Sequence, residues 1–271
     1  MLLPLVGTVV FLSLGSETDA GGLRDTYRMM TGAREKQLID AARMLMDARR
    51  TLTPIVDLPV ELQPVSVEEA YFVQDRLSLV YGAVGGWKVG APTAEATPMF
   101  APMPLAWIAS NGALLRGESH RFRGLEAEIA FLIGEDLPPR ATAYTRDEVI
   151  ESGLLDPIQA TRLSMIADLQ MHGGFVYGPA FADWQSVDFS KERVTLAVDG
   201  VVRVERTGSN TSGDLMRLLP WLANEGAART GGLKAGQWVT TGSWTGLSLA
   251  SAASCVDAEF STVGRADLRF E

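Results

Sequence analysis

Apolar residues between positions 33 and 49 recur at the three- and four-residue spacing of an amphipathic helix. The positions that would share one buried face are Leu38, Ala41, Ala42, Leu45 and Ala48. A second helix is predicted to begin after Ser66, because Ser66 and Glu69 form a capping box ahead of another periodic apolar run. The chain is therefore expected to contain a helical segment over residues 33–84.

From residue 85 onward, apolar residues come in short runs separated by glycine, proline and asparagine, a pattern typical of strands. The runs are 87–89, 105–109, 127–133, 238–241, 247–250, 255–260 and 266–270. Asp199–Gly200 joins two more β-branched runs within residues 194–205, and this pair predicts a tight hairpin. Residues 85–271 are therefore expected to form a β-rich domain that carries the chemistry.

Helices are also predicted between these strands. Thr145 and Glu148 form a capping box, and Asp156 stands before Pro157 at a first helical position. Residues 215–228 have a helical period, which Pro220 is expected to kink. Strands outnumber helices from residue 85 to the end, which predicts an α+β fold with a β-rich core.

The composition is that of a globular protein with an acidic surface, at a formal net charge of -9 and a pI of about 4.9. An acidic chain without basic runs is a poor partner for nucleic acid or anionic membranes. The lone Cys255 suits a reducing, cytoplasmic location, and its apolar neighbours predict a small core residue. The apolar stretch 1–14 is too short for a membrane span and lacks the basic residues that precede a signal-peptide core. Residues 1–32 are therefore interpreted as an N-terminal extension of doubtful order, with a signal peptide as the alternative.

The segment 124–133, which reads Gly-Leu-Glu-Ala-Glu-Ile-Ala-Phe-Leu-Ile, holds the strongest chemical signal. In a strand, Glu126 and Glu128 project from the same face, and the residues around them are apolar. Two adjacent carboxylates in such surroundings repel each other and are costly to desolvate, and a divalent cation bound by oxygen ligands removes both problems. The spacing alone leaves open a solvated polar patch at the end of the strand.

Two further segments offer groups for binding an anion. Lys88 stands between Trp87 and Val89 in a short run flanked by glycines, where it could donate a proton or anchor a carboxylate. An edge-strand lysine that discourages aggregation is the alternative. The segment 240–246 places hydroxyls and glycines at a strand end, where they could cradle a carboxylate or simply form a polar turn.

These segments occur in a characteristic order: Gly-Trp-Lys-Val-Gly (86–90), Glu-Ala-Glu-Ile-Ala-Phe (126–131), Phe-Val-Tyr-Gly-Pro (175–179), Leu-Pro-Trp-Leu-Ala-Asn (219–224) and Thr-Thr-Gly-Ser (240–243). The ordered set resembles the 2-keto-4-pentenoate hydratase and 4-oxalocrotonate decarboxylase branch of the fumarylacetoacetate hydrolase superfamily. The resemblance covers the chain from about residue 33 to its end.

The resemblance implies a β-rich roll or sandwich with surrounding helices and a helical N-terminal segment. It also implies an enzyme that requires Mg²⁺ or Mn²⁺, with Glu126 and Glu128 as metal ligands. Lys88 would be the catalytic lysine, and Thr241 and Gly242 would bind the substrate, a small 2-oxo acid. The expected activity is that of a lyase that adds water to a 2-hydroxy-dienoate. A 4-oxalocrotonate decarboxylase is the first alternative, and a hydrolase that splits a diketo acid comes next.

One part of the family's pattern has no match. The family places a third acidic ligand on an apolar strand after the glutamate pair, but residues 145–156 here are predicted to be helical, so that strand is expected to be missing. The nearby acids are Glu148, Glu151 and Asp156, which suit a helix or its cap. A non-catalytic homologue with an incomplete metal site is therefore a third possibility. The resemblance also implies a homo-oligomer.

Overall fold

The computed structural model describes residues 32–116, 119–134, 141–226 and 233–271, with the side chains of 141–149 and 226 outside this description. The predicted N-terminal extension, residues 1–32, lies outside the described residues except for Gly32. The division of the chain into three segments stays a prediction. None of the described helices is long and apolar enough to cross a membrane.

The two predicted N-terminal helices are confirmed as α1 (Gly32–Thr51) and α2 (Val67–Tyr81). The buried residues of α1 are the five whose spacing predicted that face: Leu38, Ala41, Ala42, Leu45 and Ala48. The Ser66 side chain caps α2 by accepting a hydrogen bond from the Glu69 amide at 3.3 Å. Two shorter helices follow, α3 (Arg162–Ala167) and α4 (Leu218–Trp221).

The described strands of the larger sheet are β1 (Val84–Gly90), β2 (Met99–Pro104), β3 (Ile108–Ser110), β5 (Gly124–Ile133), β6 (Ala141–Ile150), β7 (His172–Phe181), β10 (Trp238–Ser243) and β11 (Ser248–Leu249). Their order is β2–β1–β10–β5–β6–β7–β3, and β11 pairs with the start of β5. Strand β5 is buried along nearly its whole length, as expected of a strand that is covered on both faces.

A second sheet is built from β4 (Ala113–Leu115), β8 (Arg193–Val198), β9 (Val201–Thr207), β12 (Cys255–Phe260) and β13 (Gly264–Phe270), in the order β4–β13–β12–β8–β9. The predicted hairpin joins β8 to β9, with Asp199 and Gly200 both at positive φ, the geometry that a two-residue turn between twisted strands requires. Strand β13 packs against β6 and β7, so the two sheets share a core. The α+β class is therefore confirmed.

The helix predicted from Thr145 and Glu148 is wrong, because these residues lie in strand β6. Strand β6 pairs with β5 over ten consecutive positions and with β7 on its other side. Pairing on both edges outweighs a four-residue capping pattern, since local propensity is a weak determinant beside tertiary structure. The strand that the sequence suggested was missing is therefore present.

Three smaller expectations also change. Asp156–Pro157 begins a single turn, in which Asp156 Oδ1 accepts from the Ile158 amide, and the next helix starts only at Arg162. The helix predicted over 215–228 is broken into a 3₁₀ turn, the short α4 and a π-type turn that ends at 226, while 227–228 lie outside the described residues. Cys255 is exposed rather than a core residue.

Candidate active site

Neighbouring strands of the larger sheet bring Lys88 and the glutamate pair onto one face. Lys88 on β1 is paired with Thr240 on β10, which is paired with Ala130 on β5. Paired residues share a face, and alternation along β5 places Glu128 on the face of Ala130, with Glu126 one step further. Two strand spacings, about 10 Å, separate the backbone of Lys88 from that of β5, which leaves room for a small acid between the side chains.

Glu128 is almost completely buried, with 1% of its surface exposed. Its Oε2 accepts a hydrogen bond from the Gly242 amide at 3.0 Å, which offsets part of the cost of burying a carboxylate. The register between β10 and β5 shifts between Thr240 and Ser243, so Gly242 lies in a bulge, at φ +90°. The bulge turns the Gly242 amide toward the carboxylate, and such irregularities are frequent beside active sites.

Lys88 is also buried, with 8% of its surface exposed, and its Nζ donates a hydrogen bond to the carbonyl oxygen of Gln170 at 3.1 Å. That carbonyl belongs to an unusual turn, because Leu169, Gln170 and Met171 all have φ between +49° and +64°. A left-handed conformation costs a residue with a side chain about 1–2 kcal/mol, so three in succession need strong support from their surroundings. The turn connects α3 to β7 and places a backbone oxygen over the face that carries Lys88.

Arg49, from the last turn of α1, supplies such support. Its guanidinium donates to Asp168 Oδ1 at 2.6 Å and to the carbonyl oxygens of Asp168, His172 and Glu151 at 3.0 Å each. It also lies 5.7 Å above the ring centre of Trp107, a distance suited to a cation–π interaction. Burial is the largest single influence on the pKa of Arg49 and lowers it, but the charges of Asp168, Tyr81 and Glu151 and the hydrogen bond to Asp168 together outweigh burial, so the pKa is raised.

The two acids beside Arg49 are held in place by further hydrogen bonds. Asp168 is fully buried, and its Oδ2 accepts from the Ser152 hydroxyl at 2.6 Å and from the Gly153 amide at 2.9 Å. Glu151 accepts from the backbone amides of Phe122 and Ser152. Asp168 and Glu151 therefore organise the backbone around the turn.

The register of β6 places Glu148 directly opposite Glu126. The interpretation of Glu148 as a helix-terminal acid is therefore corrected: it lies near the end of strand β6, next to the strand that carries the glutamate pair. Among the residues whose side chains the structure describes, no three His, Cys, Asp or Glu side chains form a group that could hold a metal ion, and Glu148 is outside that set. The sequence does contain a signal for this strand, because residues 145–150 include the β-branched Thr145, Val149 and Ile150. Interpreting them as a strand would have placed Glu148 beside the glutamate pair.

The predicted substrate-binding pair lies where β10 bends toward β5. The Thr241 hydroxyl donates to the Ile129 carbonyl at 2.6 Å, while Asn210 Nδ2 donates to the carbonyl oxygens of Thr241 and Gly242 at 3.0 and 2.8 Å. These bonds hold both carbonyls toward Asn210 while the Gly242 amide points to Glu128. The roles of Lys88, Glu126, Glu128, Thr241 and Gly242 stay predictions.

Two buried polar atoms lie near Lys88, and only one of them, the Thr240 hydroxyl, belongs to a segment that the sequence singles out. The Thr240 hydroxyl and the side-chain amide nitrogen (Nε2) of Gln170 are buried and have no hydrogen-bond partner among the described residues. Thr240 stands beside Lys88 in the sheet, and Gln170 supplies the carbonyl that Lys88 contacts. An unsatisfied buried polar atom in a folded protein calls for an explanation, and a bound ligand is one.

Comparisons with known proteins identify the fold. The sequence matches no protein-family model and no curated protein. The solved 4-oxalocrotonate decarboxylase from Pseudomonas putida G7, in complex with magnesium and adipate, is similar with a TM-score of 0.76 at 19% identity, covering 87% of this chain and 98% of that one.

Two more distant structures share part of the architecture. The 2-hydroxyhepta-2,4-diene-1,7-dioate isomerase from Mycobacterium marinum has a TM-score of 0.51 at 16% identity, over 68% of this chain and 74% of that one. A structure described as that of a fumarylacetoacetate hydrolase family protein, from Yersinia pestis CO92, has a TM-score of 0.52 at 14% identity, over 70% of this chain and 93% of that one. The chain therefore has the fumarylacetoacetate hydrolase fold, in the form seen in 4-oxalocrotonate decarboxylase.

Proposed function

We propose that this protein is a divalent-metal-dependent lyase that decarboxylates an unsaturated 2-oxo acid of the 4-oxalocrotonate type. The observation that carries the proposal is the burial of two opposite charges, Lys88 and Glu128, on one face of the sheet. Beside Lys88 lies the Thr240 hydroxyl, which has no hydrogen-bond partner within the described part of the chain. Burying charged groups is costly, and in a cleft it is typical of residues that handle a charged ligand. The fold similarity to the decarboxylase over 98% of that chain favours decarboxylation over other reactions of such sites.

A metal ion would be held by Glu126, Glu128 and Glu148. The first two share a face of β5, and Glu148 stands opposite Glu126 on β6, where directly opposed residues of an antiparallel pair share a face. Three carboxylates provide the all-oxygen set that Mg²⁺ and Mn²⁺ prefer. The bound cation would supply Lewis acidity against the negative charge that develops on the substrate's 2-oxygen.

Side chains and backbone groups of the protein would orient the substrate acid and supply the proton that the reaction needs. Decarboxylation breaks the bond between the distal carboxylate and its methylene carbon, and the electron pair passes through the conjugated double bond to the 2-oxygen as CO₂ leaves. Lys88 Nζ, held by the Gln170 carbonyl, would donate the proton that this oxygen takes up. The Thr240 hydroxyl and the segment Thr241–Gly242 would line the position of the substrate's 1-carboxylate.

Hydration of a 2-hydroxy-dienoate is the second candidate, because the ordered motifs of the sequence resemble the hydratases as closely as the decarboxylases. The same stabilised enolate serves both reactions. In hydration, Lys88 Nζ would exchange the proton of the 2-hydroxyl before water adds across the distal double bond. A homo-oligomeric assembly and a cytoplasmic location remain predictions of this proposal.

The test is an assay of the purified protein with 4-oxalocrotonate and Mg²⁺, in which released CO₂ and loss of the substrate's absorbance are followed together. The proposal predicts metal-dependent release of CO₂, abolished by EDTA and restored by Mn²⁺. Addition of water to 2-hydroxypenta-2,4-dienoate without decarboxylation would make the protein a hydratase. No turnover of either compound at any divalent metal would favour the non-catalytic homologue.

A further inference from the structure

The left-handed turn Leu169–Met171 is held by contacts at both of its ends. The carbonyl of Asp168, just before the turn, and the carbonyl of His172, just after it, each accept a hydrogen bond from the Arg49 guanidinium at 3.0 Å. One rigid, planar group thus fixes the two ends of a segment whose backbone conformation is unfavourable for all three of its residues.

The middle carbonyl of the same turn is the one that accepts the hydrogen bond from Lys88 Nζ. Helix α1 and strand β1 are therefore connected through a turn that would relax to an ordinary conformation without its clamp. A turn with other φ and ψ angles would point the Gln170 carbonyl elsewhere, because these dihedrals set the direction of each peptide oxygen.

From this chain of contacts we propose that Arg49, oriented by Asp168, is a positioning residue for Lys88. The inference rests on the proposed function insofar as Lys88 is the proton donor. Arg49 itself touches no reacting atom: it acts by holding the turn that holds the ammonium group.

An arginine suits this role better than a lysine. The planar guanidinium group donates hydrogen bonds to the Asp168 carboxylate and to three carbonyl oxygens at once. An ammonium group is a compact point charge that cannot span both ends of the turn. Asp168 is in turn fixed by Ser152 and Gly153, so the ion pair has one geometry available to it.

The same helix offers a matched control. Arg34 on α1 also pairs with a carboxylate, that of Glu69 at 2.5 Å, and also donates to two backbone carbonyls, those of Glu61 and Gln63. Its described partners lie in α1, in the segment between α1 and α2 and in α2 itself, and none of these belongs to the turn that contacts Lys88. Replacing Arg34 therefore removes a similar clamp without disturbing the turn.

The first experiment observes Lys88 directly. The chain has only four lysines, Lys36, Lys88, Lys191 and Lys234, so selective ¹³Cε-lysine labelling gives a spectrum that Lys88→Arg assigns. Arg49→Met and Arg49→Gln, which add no lysine, are expected to move the Lys88 resonance, leaving at least two of the others in place, while Arg34→Met leaves Lys88 unmoved. An unchanged Lys88 resonance in a folded Arg49→Met protein would overturn the proposal, and so would an equal shift in Arg34→Met.

The second experiment measures catalysis and its rescue. Arg49→Lys is expected to lower kcat about 10–100-fold with little change in KM, the usual size of effect for residues that support a site through another group. Adding Met171→Gly should restore part of kcat, because glycine adopts a positive φ without strain and keeps the turn without its clamp. Met171→Gly should not raise kcat in the Arg34→Met background. An equal gain of kcat in both backgrounds, or no gain in the Arg49→Lys background, would contradict the positioning role.

The two experiments separate this inference from the proposed function. If the protein turns over no 2-oxo acid, the proposed function fails, but the resonance of Lys88 still reports whether Arg49 positions it. If turnover is observed and the Lys88 resonance does not change when Arg49 is replaced, the positioning role of Arg49 is wrong while the proposed function stands.

Discussion

The two sheets of this protein bury different kinds of side chain. Within the five-stranded sheet the buried positions are apolar and alternate with exposed polar ones, as along β12, where Val256, Ala258 and Phe260 are buried. The eight-stranded sheet instead buries Lys88 and Glu128 on adjacent parts of one face. Because the first arrangement stabilises a fold and the second costs stability, the comparison separates the sheet that supports the fold from the sheet that carries the proposed active site.

The largest effect is expected at Glu128. Glu128→Gln keeps an oxygen for the Gly242 amide but removes the charge, and we expect kcat/KM for decarboxylation to fall at least about 10³-fold, in keeping with the several kcal/mol of charge stabilisation that a metal provides. The thermal midpoint of the metal-free protein should not fall. Steady-state kinetics and calorimetry measure both quantities, and retention of full activity would remove Glu128 from the site.

For an apolar residue of the five-stranded sheet, we expect a loss of stability with little change in kcat, the opposite of the result at Glu128. Leu196→Ala in β8 empties a fully buried position and should cost about 2–5 kcal/mol of unfolding free energy. The kcat of the folded protein should stay near that of wild type. A loss of kcat under conditions where the variant is folded would show that the two sheets are not functionally separate.

A pair of glycines sharpens the comparison. Gly242 in the bulge of β10 and Gly200 in the β8–β9 hairpin both have positive φ, and both have space for a methyl group. Alanine at either position should cost about 1–2 kcal/mol of stability through the backbone alone. Only Gly242→Ala is expected to lower kcat, by about tenfold, since its amide holds Glu128. Equal kinetics for the two variants would argue that the bulge has no role in catalysis.

The smallest effect distinguishes two adjacent threonines. The Thr240 hydroxyl is buried without a hydrogen-bond partner among the described residues, so Thr240→Val should stabilise the protein by about 1 kcal/mol while lowering kcat/KM up to about tenfold. Thr241→Val should instead destabilise it by about 1–3 kcal/mol, because the Ile129 carbonyl loses its donor. Chemical denaturation checks the two signs, and a loss of stability in Thr240→Val would contradict a ligand-binding role for its hydroxyl.

Local sequence signals predicted much of the fold. The buried stripe of α1, the Ser66 cap and the Asp199–Gly200 turn are all confirmed, since each depends on residues within a few positions of one another. The Thr145–Glu148 spacing predicts a helix where strand β6 lies, because a four-residue capping pattern carries no information about pairing with β5 and β7.

The candidate site was predictable only in part. Lys88 and Glu128 could be found, since each is a charged residue inside an apolar run. The Arg49–Asp168 pair could not, because 119 residues separate its members. The left-handed turn at Leu169–Met171 has no signal in the sequence either, because none of its residues is glycine or asparagine.

The central claim is that Glu126, Glu128 and Glu148 together hold a divalent cation, and calorimetric titration with Mn²⁺ tests it most directly. The wild-type protein should bind one Mn²⁺ per chain, more tightly when oxalate is present as a mimic of the enolate. Glu148→Gln should weaken that binding at least about tenfold, while Asp156→Asn, a nearby acid outside the strand, should leave it unchanged. Absence of Mn²⁺ binding by the wild type, or unaltered binding by Glu148→Gln, would contradict the account.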